Sequence, residues 1–159
     1  TDEDIKYLDK GLEDFSKVLY KTFQVNPQSI NGAGAAGGMG IASKLFLNGL
    51  LQPGIELIKK LAKFDSKIEN SDWVITGEGS LDEQTFSGKT IKGVVASAKE
   101  KQIKVAALCG KSDLSETAAK NFGIDYVDTV MNYSKSIEDA MQHSIHYVNE
   151  MAKKFANGL

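Results

Sequence analysis

The sequence predicts an α/β fold of three layers, with a short, mostly parallel sheet of about three strands between helices. Three observations carry that expectation. Runs rich in β-branched, aromatic and small apolar residues stand at Trp73–Thr76, Lys104–Cys109 and Asp125–Met131. Such runs, bounded by polar residues and glycine, read as strands buried on both faces. Between the first two, Ile91, Val94, Val95 and Ala98 fall at i, i+3, i+4 and i+7, the apolar stripe of a helix. Strands that alternate with helices are parallel neighbours joined by right-handed crossovers, here with a helix over 88–101.

The remaining elements follow in chain order. Ile5, Leu8, Leu12, Phe15 and Leu19 alternate spacings of three and four and predict an amphipathic helix over 3–22, which Asn26-Pro27 ends. Gly32 to Gly40 holds five glycines in nine residues. Met39, Ala42, Leu45 and Phe46 then predict a helix running to Asn48-Gly49. Pro53 suits a helix start, with Ile55, Ile58 and Leu61 on one face, and Phe64 to Glu69 adds a further turn. Asp113 with Glu116 reads as a capping box for a short helix through Phe122. Ser136 caps a long final helix whose inward face is Ile137, Met141, Ser144, Val148, Met151 and Phe155.

Composition bounds the function. A chain of 159 residues with 42% hydrophobic and 25% charged residues can bury a real core. The net charge of −2 and the lack of a Lys/Arg stripe argue against a nucleic-acid partner. No apolar run approaches the ~20 residues that span a bilayer, so no membrane partner is expected. With no leader pattern and the single cysteine Cys109, a reducing cytoplasm is the expected compartment. Cys109 itself, in Val105-Ala-Ala-Leu-Cys-Gly110, reads as a buried structural thiol. His143 and His146 lack further ligands nearby in sequence and read as surface residues. Thr1 opens directly on a helical pattern, which suggests a piece of a longer chain.

Chemistry concentrates between Trp73 and Gly93. The loop after the first strand holds Gly77, Glu78, Gly79, Ser80, Asp82, Glu83, Gln84 and Thr85, then Gly88-Lys89 at the start of a helix. In open α/β sheets, ligands bind at the carboxyl ends of strands. Lys89 falls in a first helical turn, where the dipole disfavours a cation unless an anion sits there too. Gly32, Gly34 and Gly37 match G-x-G-x-x-G, but Gln24 to Ile30 is a poor strand and Glu56 lies in a helical pattern, so the dinucleotide reading is rejected. A helix start with little side-chain bulk remains, suited to phosphate or to close packing. Gly88-Lys89-Thr90 is not a P-loop, because Glu83 stands where that motif needs glycine.

Phosphoryl transfer needs donors for phosphates, a cation, and a group that deprotonates the acceptor. Backbone amides near Gly34, Gly37 and Gly38, with Thr85, Gly88 and Lys89, are the candidate phosphate donors. Glu78 or Asp82 could hold Mg²⁺, the other acting as base; Asp82 is favoured as the base and Glu78 for the metal, with Lys89 beside Asp82 at the reacting phosphate.

Gly32-Ala-Gly-Ala-Ala-Gly-Gly-Met-Gly40 followed by Ile75-Thr-Gly-Glu-Gly79, Asp82, Gln84-Thr85, Gly88-Lys89 and Gly93-Val94 resembles the C-terminal part of type 1 glycerate kinases. The resemblance implies a two-domain α/β enzyme, more than twice this length, that uses ATP and Mg²⁺ to phosphorylate D-glycerate, with 2-phosphoglycerate preferred to 3-phosphoglycerate as product. Residues 1–159 are then either one α/β domain or the C-terminal fragment of that kinase, inactive alone, with an apolar face left open to association. The reading of a different class is a non-catalytic domain that binds an anion or phosphorylated metabolite. On either reading Gly32–Gly40 is expected to border the concavity that gathers Glu78, Asp82, Thr85 and Lys89.

Overall fold

The computed structural model describes residues 1–83, 85 and 90–159. They divide into two compact units, Thr1–Leu57 and Ile58–Leu159, each taken by itself.

In the first unit, α1 runs from Asp2 to Phe23. Thr1 and Asp4 form a reciprocal capping box, and Asp2, Glu3 and Asp4 place negative charge in the first turn, where the helix dipole favours it. The helix is closed two residues ahead of Asn26, by Gln24 in the left-handed region (φ 56°). Asn26 instead caps a 3₁₀ turn, Pro27–Ser29, its side-chain Oδ1 accepting from the Gln28 N–H at 3.1 Å. Helix α2 (Ala35–Leu47) ends on Asn48 (φ 53°), as its sequence indicates, and α3 covers Gly54–Ala62. Leu19, Ala33 and Ile41 form a small core, bordered by Val25, Ile30 and Leu45. The rest of the α1 stripe is uncovered. Ile5, Leu8, Leu12 and Phe15 are 65%, 64%, 48% and 41% exposed.

In the second unit, a single turn, α4 (Phe64–Lys67), leads to β1 (Trp73–Thr76). Strands β3 (Lys104–Cys109) and β5 (Tyr126–Thr129) complete a sheet of order β1-β3-β5. Both pairings are parallel, with Val74 opposite Val105 and Leu108 opposite Asp128. Side chains alternate across the sheet, so Val74, Val105, Ala107 and Cys109 share one face. There they join Ile91, Val94, Val95 and Ala98 of α5 (Thr90–Glu100) and Ala119 of α6 (Glu116–Phe122) in one buried cluster. Ile91 and Ala98 are fully buried; burying a side chain such as Ile91 is worth about 1.5–3 kcal/mol. On the opposite face Phe155 meets Trp73 and Tyr126, each with ring centroids 5.0 Å apart. Helices on both faces make the three layers that the sequence predicts. Among the described residues no helix is long and apolar enough to cross a membrane.

Three local expectations are corrected. Strand β5 stops at Thr129, because the Met131 N–H donates to the Gly110 carbonyl (3.1 Å) and Val130–Asn132 folds into a 3₁₀ turn. The cap of α6 is Ser115, whose hydroxyl accepts from the Ala118 N–H at 3.1 Å; Asp113 is drawn away by its N–H bond to the Leu81 carbonyl (2.9 Å). The final helix is two helices, α7 (Ile137–Gln142) and α8 (Ser144–Asn157), broken at His143. Ser136 does cap α7, but of the expected inward face only Met151 and Phe155 are buried. Ile137 and Met141 are 65% and 76% exposed.

Candidate functional site

The site is built on the exit of β1. Gly77 is glycine for a steric reason: a Cβ there would lie 2.2 Å from the Leu108 carbonyl oxygen. The backbone beyond it runs beside the exit of β3. Carbonyls of Glu78, Gly79 and Leu81 accept from the N–H groups of Gly110 (3.0 Å), Lys111 (3.0 Å) and Asp113 (2.9 Å). Within this ladder Ser80–Leu81 (β2) and Lys111–Ser112 (β4) pair as a short parallel sheet, which the sequence pattern did not indicate. Leu81 is fully buried and anchors the loop in the core. Gly110 matches Gly77 in kind, because a Cβ on it would lie 2.5 Å from the Gly79 carbonyl oxygen.

This scaffold brings three predicted residues together. The Thr85 hydroxyl donates to Glu78 Oε1 at 2.5 Å and accepts from the Asp82 N–H at 3.2 Å, while the Thr85 N–H donates to the Asp82 carbonyl at 3.0 Å. Thr85 is 1% exposed, so its hydroxyl is spent on Glu78 and the Asp82 N–H in this arrangement. Glu78 and Asp82 are half-buried. One Glu78 oxygen is oriented by Thr85, and a carboxylate has a second oxygen with which to ligate. Thr85 holds the Glu78 carboxylate and the Asp82 backbone on one loop, which makes these two acids the candidates for cation binding and proton transfer. Gly88 and Lys89, together with Gln84, lie outside the described residues.

The glycine run belongs to the first unit. Ala36, Gly37 and Gly38 have φ of 51°, 65° and 93°, three successive left-handed residues inside α2, so regular helix begins only at Met39. Glycine is at ease there, and Ala36 carries a strain of about 1–2 kcal/mol. A Cβ at Gly34 or Gly37 would meet nothing within 4 Å among the described residues, whereas one at Gly40 would lie 2.1 Å from the Gly32 carbonyl oxygen. Close packing therefore accounts for Gly40, and backbone conformation for Gly37 and Gly38.

Other groups complete the inventory. Cys109 is buried, and burial pushes its thiol above the ordinary range. His143 Nδ1 lies 2.8 Å from Asp139 Oδ1 on the surface. Sequence reasoning missed Asp128, which is 2% exposed near the end of β5. Its Oδ1 accepts from the Thr129 N–H and Asn132 (2.9 Å each), and its Oδ2 from Tyr133 (2.6 Å), Lys154 (3.2 Å) and Tyr126 (3.3 Å). Burial pushes this carboxyl up, but the bonds from Tyr133, Asn132, Thr129 and Lys154 outweigh it and hold it below the usual carboxylate range. The signal was a lone acid inside an apolar strand, Tyr126-Val-Asp-Thr-Val130. With five donors already on it, Asp128 fastens β5, the 3₁₀ turn and α8 together and has no capacity left for catalysis.

Against known proteins, residues 1–159 match the sequence profile of the glycerate kinase family. The chain belongs to the glycerate kinase family. It is 37% identical over 155 residues to a glycerate kinase of Bacillus cereus, covering 98% of this chain and 41% of that one. To the glycerate 2-kinase of Escherichia coli it is 31% identical over 149 residues, covering 94% of this chain and 39% of the relative. A crystal structure of a protein assigned as glycerate kinase 2 from Salmonella typhimurium LT2 matches with a TM-score of 0.53 and 29% identity, over 97% of this chain and 42% of that one. This glycerate kinase family chain thus spans between 39% and 41% of the length of the first curated relatives it matches.

Proposed function

We propose that this chain is the C-terminal part of a two-domain kinase that transfers the γ-phosphoryl group of ATP to a hydroxyl of D-glycerate in the cytoplasm. The observation that carries the reading is the Glu78–Thr85–Asp82 constellation at the carboxyl end of a parallel strand, in a chain that matches the family along its whole length. The 2-hydroxyl is the favoured acceptor, in keeping with the name of the Escherichia coli relative.

Asp82 serves as the base. It takes the proton of the glycerate hydroxyl, the oxygen attacks the γ-phosphorus, and the bond from that phosphorus to the bridging oxygen breaks to release ADP. Glu78, oriented by Thr85, would hold Mg²⁺, and the donor set fits, since this ion is commonly bound by one or two carboxylates with phosphate oxygens and water. Bound there, Mg²⁺ neutralises charge on the phosphates. Gly88 and Lys89, which lie outside the described residues, are the remaining candidates for phosphate binding, with Lys89 stabilising charge in the transition state. The backbone amides of Gly34, Gly37 and Gly38 are further candidate donors to phosphate. Residues beyond this chain complete the cleft and cover the open α1 face.

The test is Glu78→Gln and Asp82→Asn in a chain of the relatives' full length, assayed for ADP formation across Mg²⁺ concentrations. Asp82→Asn lowers kcat and leaves Mg²⁺–nucleotide binding intact, whereas Glu78→Gln lowers turnover and raises the Mg²⁺ requirement. Full activity in both variants would clear both acids of a role. Nucleotide or metabolite binding with no ADP formed by the unaltered chain would point to the non-catalytic domain instead.

A further inference from the structure

A second feature lies at the same end of the sheet. Gly79, Gly110, Lys111, Met131, Ile137 and Met141 line a cavity of about 500 Å³, within the ~300–1,000 Å³ usual for small-molecule sites. Its walls are mostly apolar. Val130 at its base is 6% exposed, while Met131, Ile137 and Met141 keep 38%, 65% and 76% of their surface open. The opposite edge is glycine backbone, Gly79 and Gly110, where a Cβ on Gly110 would lie 2.5 Å from the Gly79 carbonyl oxygen. Lys111 stands at the rim, paired with Asp113 at 3.1 Å in solvent.

We infer that this cleft seats the purine ring of the nucleotide, an inference that rests on the kinase reading above. Of the groups that reaction assembles, glycerate and the triphosphate are anionic and would leave the apolar lining unfilled. The purine is flat and weakly polar, and it matches a slot with glycine backbone on one side and thioethers on the other. Methionine is polarisable and adaptable, and its sulfur makes favourable contacts with aromatic rings. Gly79 belongs both to the cleft and to the loop that carries Glu78, so a ring held here leaves the rest of the nucleotide beside the candidate carboxylates.

The experiment is a backbone-amide NMR titration of the 159-residue chain with Mg²⁺ and either ADP, adenosine or inorganic tripolyphosphate. ADP and adenosine should shift Gly79, Gly110, Met131 and Met141, and tripolyphosphate should leave the two methionines still. Met141→Asp, at an exposed position that leaves the fold intact, should weaken ADP binding at least tenfold and spare tripolyphosphate binding. Shifts from ADP in the 77–85 loop with Met131 and Met141 unmoved would overturn the inference while the kinase reading stands. No response to ADP anywhere would overturn the inference, and the kinase reading would then rest on ADP formation by a chain of the relatives' full length. Concentration-dependent shifts of the same methionines without ligand would show that a second copy covers the cleft, which also overturns it.

Discussion

Gly77→Ala tests whether the close approach of two strand exits holds the candidate site in place. The backbone at Gly77 is compatible with alanine, so the cost comes from contact alone. A methyl carbon would sit 2.2 Å from the Leu108 carbonyl oxygen, against 3.4–4 Å for ordinary contact. The exits of β1 and β3 must therefore separate by roughly 1 Å, in a close-packed interior that resists such shifts. The bonds from Gly110 and Lys111 to the Glu78 and Gly79 carbonyls, both 3.0 Å, are the first to lengthen. Overpacking costs about 1–3 kcal/mol and each of the two weakened backbone bonds about 1, giving roughly 3–5 kcal/mol in all. Urea unfolding of the 159-residue chain, followed by the fluorescence of Trp73 on β1, reads this loss. Gly79→Ala is the control, because a Cβ there meets nothing within 4 Å among the described residues; it should change stability by less than ~0.5 kcal/mol. In a chain of the relatives' full length, Gly77→Ala should also lower turnover by roughly 10²-fold, the usual cost of a 1 Å misplacement. Equal stability of the two alanine variants would refute the steric argument.

Asp128→Ala should cost about 1–3 kcal/mol by removing the acceptor of five hydrogen bonds, the buried Thr129 N–H among the donors left without it; because the folded carboxyl titrates below its unfolded value, the contribution is full above about pH 4 and is lost as pH falls through the folded pKa. Urea midpoints of wild type and variant should therefore converge in acid, and a gap that persists unchanged at pH 3 would contradict this. Thr85→Val should lose about 1–3 kcal/mol and unfix Glu78, while Thr85→Ser retains both the bonds and the Mg²⁺ dependence of turnover; identical Mg²⁺ titrations for all three proteins would count against a positioning role. The 159-residue chain alone should form no ADP from ATP, D-glycerate and Mg²⁺, because in-line transfer takes groups from two walls of a closing cleft. Turnover of ~1–10³ s⁻¹ would sink that expectation.

What the sequence revealed and what it hid divide along a physical line. Trp73–Thr76 and Lys104–Cys109 were legible to the residue because local composition and burial agree there. That Glu78 meets Thr85, and Thr85 the Asp82 backbone, was legible because a loop at a strand's carboxyl end has few places to go. Features set by distant partners were not. The β2–β4 pair is two residues long on each side, too short for a period to show. The end of β5 depends on the Gly110 carbonyl, 21 positions upstream of Met131. Asp128 owes its state to donors from the turn and from α8 that no spacing rule brings together. Ala36 gives no hint of its left-handed backbone, because only its setting between glycines imposes it.

The two units also differ in how far they can stand on their own burial. In the second, a twelve-residue buried cluster joins β1, β3, α5 and α6, closed on the opposite face by Met151 and Phe155. In the first, three buried apolar residues support Thr1–Leu57. Ordering a backbone costs about 1–2 kcal/mol per residue, and a fully buried aliphatic side chain returns about 1.5–3 kcal/mol. So small a core leaves α1 dependent on its own caps and surface ion pairs, which are worth little each. Its stripe of Ile5, Leu8, Leu12 and Phe15, largely uncovered among the described residues, is a further store of burial. On the proposed reading, the remaining length of the relatives supplies that cover. Amide exchange then follows as a consequence: α1 should exchange quickly in this chain and slow down in one of full length, while β3, already enclosed between α5 and α8, should be protected in both.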